Sequence, residues 1–203
     1  MAKIKLTKNE LKHQRDDLKR FQRYLPTLQL KKLQLQSSVR QAKEELAELE
    51  ERDRRETADH AADLRLFADC PAEALSSATI AAWRVAERNV DGIDIPVHKE
   101  LEWKRQPVDL LTTPLWLDDA LDMVAAQTEL RLRLRLMREQ LSRLEQELRV
   151  VTQRVNLFEK VMIPEAQENI RRINIYIGDQ QTNSVGRSKI AKSKCQARDA
   201  EVQ

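Results

Sequence analysis

From Leu134 to Met162 an apolar residue falls at every alternating step of three and four: Leu134, Met137, Leu141, Leu144, Leu148, Val151, Val155, Phe158 and Met162. Near the N-terminus a second ladder reads Leu11, Leu18, Phe21, Leu25, Leu28, Leu35, Val39, Ala42, Leu46 and Leu49, with Gln14 and Lys32 as its two polar steps. A period of about 3.5 residues keeps one stripe of a long helix against a partner and winds the pair into a left-handed coiled coil. Leu11 to Leu49 would span roughly 57 Å, and Leu134 to Met162 roughly 42 Å. The seams are similar in length and separated by a connecting region, so they are expected to pair within one chain as an antiparallel hairpin. Two helices of a larger bundle, or pairing between chains, are the alternatives.

Composition agrees with such a shape. Aromatic residues make up 4% of the 203 and charged residues 34%, which suits a long helical pair better than a globular core. A net charge of +3 does not by itself point to nucleic acid. Gly92, Gly178 and Gly186 are the only glycines. Neither a Walker A loop nor a GxGxxG turn can be built from them, so no nucleotide cofactor is expected. His13, His60 and His98 share no ligand spacing, and no nucleophile–base arrangement is present. Neither catalysis nor metal binding is expected. Cys70 and Cys195 read as ordinary intracellular thiols. No apolar run reaches the length of a membrane span, and the lysine-rich start has no apolar stretch behind it. A cytoplasmic chain without membrane insertion is expected.

Thr7 and Glu10 have the spacing of a capping box, so the first helix is expected from about Thr7 to beyond Glu51. The second is expected to start near Thr113 or Pro114 and to run through Met162, to about Ile177. Asp118 and Asp119 then complement its first-turn dipole. Pro26 and Pro164 should bend or end their helices. The heptad phase passes through Pro26, which favours a bend there, whereas at Pro164 bend and break stand open. After Met162 the apolar positions Ala166, Ile170, Ile173 and Ile177 read as a four-residue stutter. Between the helices, Val90-Asp91-Gly92-Ile93 carries the Asp-Gly pair of a two-residue hairpin turn. Ile93, Ile95, Val97, Leu101 and Trp103 alternate as in a half-buried strand, with Trp83–Val90 as partner and a short helix around Ala61–Phe67. The expected divisions are 1–57 for the first helix, 58–112 for this head, 113–178 for the second helix and 179–203 for a basic tail. The fold class is all-α dominated, with a small central head containing the hairpin at the end of the rod opposite both termini.

Several features have plain structural readings. Lys32 is expected to pack its stem while its amine reaches water, with a register-fixing polar residue in the seam as the alternative. The acidic run Glu44, Glu45, Glu48, Glu50 and Glu51, and the arginines Arg131, Arg133, Arg135 and Arg138, read as solvated faces. The tail from Ser184 is polar, and frayed at its end. Its Arg187, Lys189, Lys192, Lys194 and Arg198 also leave contact with nucleic acid or with a polar protein cavity open.

The wording of the helices resembles one family. Lys5 to Lys12 and Arg23 to Lys32 look like the N-terminal helix of the D subunit of the V-type (archaeal/vacuolar-type) ATPases. Arg154 to Lys160, Ile163-Pro164-Glu165, Asn169-Ile170-Arg171, Gly178 to Gln181, Val185-Gly186-Arg187 and Lys189 to Lys192 are similar to its C-terminal helix. The likeness covers residues 3–50 and 120–195. In the middle it is confined to Gly92 to Val97. The resemblance implies a non-catalytic central rotor shaft whose termini enter a hexamer of catalytic and regulatory subunits. Its head would meet the small F subunit and the adaptor on the membrane ring, coupling ATP turnover to ion movement at the cytoplasmic face. On this reading Lys3, Lys5, Lys8, Arg187, Lys189 and Lys192, at the joined tips, meet the hexamer cavity. Asp91, Gly92, Ile93 and Ile95 make the head contacts. A coiled-coil tether or stalk of another hexameric ATPase is the alternative, and a nucleic-acid-binding coiled coil a further one.

Overall fold

A computed structural model describes residues 4–61, 78–105, 114 and 116–201. At its start the Thr7 hydroxyl accepts the Glu10 backbone N–H at 3.3 Å, taking up one of the orphan amides of a helix N-terminus. The reciprocal half of the capping box is absent. The Glu10 carboxylate instead accepts the Gln14 side-chain amide at 2.9 Å, and the Thr7 N–H goes to the Lys5 carbonyl. From here α1 runs Lys8–Asp59 as one helix, unbroken at Pro26. Surface pairs one turn apart, Arg40–Glu44, Glu51–Arg55 and Arg52–Glu56, line its outer face and add a few tenths of a kcal/mol each.

The second long helix begins later than its proline suggests. The Pro114 carbonyl accepts the Leu117 N–H, and α2 runs Leu117–Leu157 with Asp118 and Asp119 in its first turn. Thr113 lies outside the described residues, as does most of the segment expected as a short helix, Ala61–Phe67. After α2 a π-helical turn, Phe158–Met162, leads straight into α3, Ile163–Glu201. Pro164 accounts for that turn. It has no N–H to offer, and in a regular helix its ring would press on the carbonyl four residues back. Closing the turn from the Ile163 N–H to the Phe158 carbonyl inserts one residue, so the helix continues where a break stood open. The buried positions accordingly skip from Val155 to Ala166 and Ile173, an eleven-residue step outside the heptad.

The segment from Ser184, read from sequence as a polar and frayed tail, is helical through Glu201. It holds no proline, and lysine, arginine, alanine and glutamine are good helix formers. Gly178 and Gly186 cost about 1 kcal/mol each relative to alanine, which such a run tolerates.

Contacts divide the chain into two compact units, Met1–Leu30 with Val151–Gln203, and Lys31–Val150. In the first, Phe21 meets Phe158 edge-on at 5.3 Å between ring centroids. Arg15 donates to the Asn174 side-chain oxygen at 3.4 Å, and Asn169 to that of Gln14 at 3.4 Å. In the second, ion pairs join Lys31 to Glu147 at 3.7 Å, Lys43 to Glu145 at 2.7 Å, Glu50 to Arg138 at 2.8 Å and Asp53 to Arg131 at 3.5 Å. In the second unit the partner's number falls steadily as the α1 number rises, and in the first it falls from Asn169 and Asn174 opposite Gln14 and Arg15 to Phe158 opposite Phe21, so the helices are antiparallel. Leu35, Val39 and Ala42 of α1 and Leu130, Leu134 and Leu144 of α2 are buried along the second unit. Arg131 and Arg138, expected as a solvated face, tie α2 to α1, as does Glu50 from the acidic run.

The hairpin belongs to this second unit. Strands β1 (Ala78–Val90) and β2 (Ile93–Arg105) pair antiparallel, with Ala81 and Lys99 as the extra residues of two bulges. β1 begins well before the expected Trp83. At the turn Asp91 has φ 53° and Gly92 φ 82°, the two positive values of a type I′ turn, which matches strand twist. An isolated two-stranded ribbon is marginal in water, and this one lies along the helices. The Arg143 side chain donates to the Asp94 carbonyl at 2.9 Å, and the Gln140 amide to the Pro96 carbonyl. Arg105 pairs with Asp122, and Ala78 packs with Trp116 on Leu117 and Leu121. At the tip, the Ser38 hydroxyl donates to the Asp91 carboxylate at 2.6 Å. The expected placement of the Asp-Gly turn at the far end of the rod is therefore wrong. It lies beside Ser38, roughly 32 Å back along α1 from Asp59.

Candidate functional site

Among the described residues no three His, Cys, Asp or Glu side chains gather to hold a metal ion. No described helix is long and apolar enough to cross a membrane. What the molecule offers to others is surface, and the most unusual surface is α3.

Gln14 meets Asn169 and Arg15 meets Asn174, so at one helical rise per residue Lys8 is level with residues between about 175 and 181. Beyond that level α3 runs on to Glu201, roughly 30 Å or more past the start of α1. Val185 and Ile190 are 56% and 59% exposed here. Arg187, Lys189, Lys192, Lys194 and Arg198 follow with no acid between Asp179 and Asp199. The result is a positively charged stretch of helix that runs past the start of α1 and carries exposed aliphatic side chains.

Closer to α1, the buried Asn169 side chain donates to Gln14, whose own amide is held by Glu10. This polar layer crosses the seam where the sequence shows only the interruption at Gln14. One turn of α3 also carries a charged fork. Hydrogen bonds first from Arg171 and then from Arg172 hold the Glu168 carboxyl at about 2, well below its ordinary 4.5. The same contact raises the Arg171 guanidinium further.

Residues 10–193 match the ATP synthase D-subunit family. The V-type ATP synthase D subunit of Borreliella burgdorferi is 42% identical over 196 residues, 95% of either chain. That of Chlamydia pneumoniae is 34% identical, covering 98% of this chain and 96% of its own. The Chlamydia felis relative is 36% identical over 98% and 97%. The chain belongs to the ATP synthase D-subunit family.

For this D-subunit chain, no residue of the two expected seams is fully exposed. Leu35, Val39, Ala42, Leu134, Leu144, Val151 and Val155 are buried. Leu11, Leu18, Phe21, Leu25, Leu28, Leu46, Leu49, Met137, Leu141, Leu148, Phe158 and Met162 are half-buried. Lys32 is half-buried too. The basic residues expected at joined tips come from both ends of the chain. Lys8 opens α1 and Lys5 precedes it, Arg187, Lys189 and Lys192 lie on the part of α3 that outruns it, and Lys3 is outside the described residues. All five described ones are exposed.

The expected head contacts turn inward. Ile95 is 2% exposed, Ile93 is half-buried, and Asp91 is engaged with Ser38. Ile95 is thus closed to a partner by the chain's own helices. Sequence reasoning missed Leu136, Gln140 and Arg143, the face of α2 that carries the ribbon. Their spacing of four and three was visible, but a seam on the adjoining face claimed the helix first.

Proposed function

We propose that this chain is the non-catalytic central stalk of a V-type ion-translocating ATPase/ATP synthase, the axle that carries torque between the catalytic hexamer and the membrane ring. The observation that carries the reading is the stretch of α3 that runs past the start of α1. A helix with exposed Val185 and Ile190 among basic side chains fits a cavity that covers the aliphatic groups and offers polar or acidic loops to the cations. Lys5, Lys8, Arg187, Lys189 and Lys192 are then the contacts inside a sleeve of catalytic and regulatory subunits. The small F subunit and the membrane-ring adaptor are the remaining partners, and the complex sits peripherally on the cytoplasmic face.

Torque needs stiffness, and two packed helices resist twisting far better than one. Cross-helix pairs such as Glu50–Arg138 and Lys43–Glu145 oppose sliding of one helix along the other. The π turn makes the axle locally irregular. Such irregularity holds identical sites of a surrounding ring in different states.

The test is reconstitution with the hexamer and a bead attached at the hairpin, with and without residues 182–203. The full chain should rotate under ATP, while the truncated chain should bind weakly and slip. Equal rotation by both would refute the role given to that stretch of α3.

A further inference from the structure

We propose that the outer edge of β1 accepts an extended strand from another protein of the same assembly, so that the two-stranded ribbon becomes three-stranded. This rests on the stalk reading above.

In a two-residue type I′ hairpin the residues flanking the turn, here Val90 and Ile93, exchange both backbone hydrogen bonds. Alternation from that pair sends the backbone groups of Asp94 and Pro96 outward on β2, and those of Val85, Glu87 and Asn89 outward on β1. The two edges are treated differently. On β2 the carbonyls of Asp94 and Pro96 are capped by Arg143 and Gln140 of α2. The missing N–H of Pro96 faces that same side and costs nothing. On β1 the outward groups make no hydrogen bond to any described residue, and Val85, Glu87 and Asn89 are exposed. β2 contains buried residues, whereas β1 contains none. β1 is thus the outer strand.

Natural sheets blunt such an edge with proline, lysine or a bulge. From Ala82 to Val90 β1 has neither proline nor lysine, and its own bulge lies before that stretch, at Ala81. Three N–H and three C=O groups in strand spacing match another extended backbone. Arg88, exposed and with no ion pair or hydrogen bond among the described residues, favours an acidic side chain on the incoming strand. A second copy of this chain fits poorly. Antiparallel pairing centred on Glu87 sets that carboxylate against itself, and pairing centred on Ala86 sets Arg84 against Arg88. Like charges directly opposite oppose such registers.

The test compares backbone amide exchange in the full chain alone and within the purified complex. The Val85, Glu87 and Asn89 amides should slow by about tenfold or more on assembly. Unchanged exchange there, while α3 amides become protected, overturns the strand and leaves the stalk reading intact. Failure of the full chain to join the complex removes both. Protection that appears in the isolated chain as its concentration rises assigns the edge to a second copy and overturns the proposal.

Glu87→Pro removes an outward donor while sparing the inner ladder, whose hydrogen bonds do not use that N–H. It should keep the circular dichroism of the parent and weaken assembly by about tenfold or more. Glu87→Ala, which keeps the N–H, should assemble as the parent does. Equal weakening by the two variants would place the effect in the side chain and sink the strand.

Discussion

Leu33 and Leu35 stand two residues apart on the same helix with opposite fates. Leu33 is 65% exposed and Leu35 is fully buried. Replacing each with alanine removes the same atoms and changes helix propensity by the same small amount, so the difference between the variants isolates packing. For Leu35 the lost transfer energy and the cavity left between α1 and its surroundings together cost about 2–5 kcal/mol. Its complete burial argues for about 3 or more. For Leu33 the change should stay within about 0.5 kcal/mol, as for most surface substitutions. In a chain of this size each kcal/mol moves the midpoint by about 2–4 °C. Leu35→Ala should then melt roughly 6–12 °C below the parent by far-ultraviolet circular dichroism, with Leu33→Ala melting alongside the parent. Urea titration should give the same order, with a lower midpoint and an unchanged slope for Leu35→Ala. Equal losses in the two variants would mean that α1 does not bury this stripe, and the antiparallel pairing would fall with it.

Other consequences follow from the same geometry. Replacing the Gln14–Asn169 layer by leucine at both positions should raise the melting temperature yet loosen the register, since a polar layer specifies alignment at a cost in stability. Disulfide trapping between cysteines placed at Arg15 and Asn174 reads this out, and an undiminished yield in the leucine variant would refute it. Glu168 is held at about 2, below its ordinary 4.5, so its contribution is present above the ordinary value and disappears as pH falls from 4.5 towards 2. Glu168→Gln should flatten the acid side of the stability profile in that window. A carboxyl midpoint near 4.5 in the parent's nuclear magnetic resonance titration would contradict the fork. Gly92→Ala meets no crowding, with only the Lys31 amine at 4.0 Å, but it carries a side chain at φ +82° and should cost about 1–2 kcal/mol. Faster amide exchange confined to the ribbon is the expected sign, and unchanged exchange would count against the turn geometry.

Much of this fold was written in local patterns. The two seams, the Thr7 start, the acidic first turn of α2 and the Asp-Gly turn each depend on residues within a few positions of one another, which is where periodicity, capping and turn chemistry act. The family likeness lay in equally local wording, from Lys5 to Lys32 and from Arg154 to Lys192. The tertiary structure decided what those rules cannot reach. It laid the ribbon back along α2, because only a neighbouring helix could supply Gln140 and Arg143 to the edge of β2. It turned Ile95 inward and closed it to a partner. It kept the helix going past Pro164 by widening one turn, and it matched Gln14 with Asn169 across 155 positions of chain. Pairings between distant segments depend on where two surfaces meet, and no single stretch of sequence carries both of them.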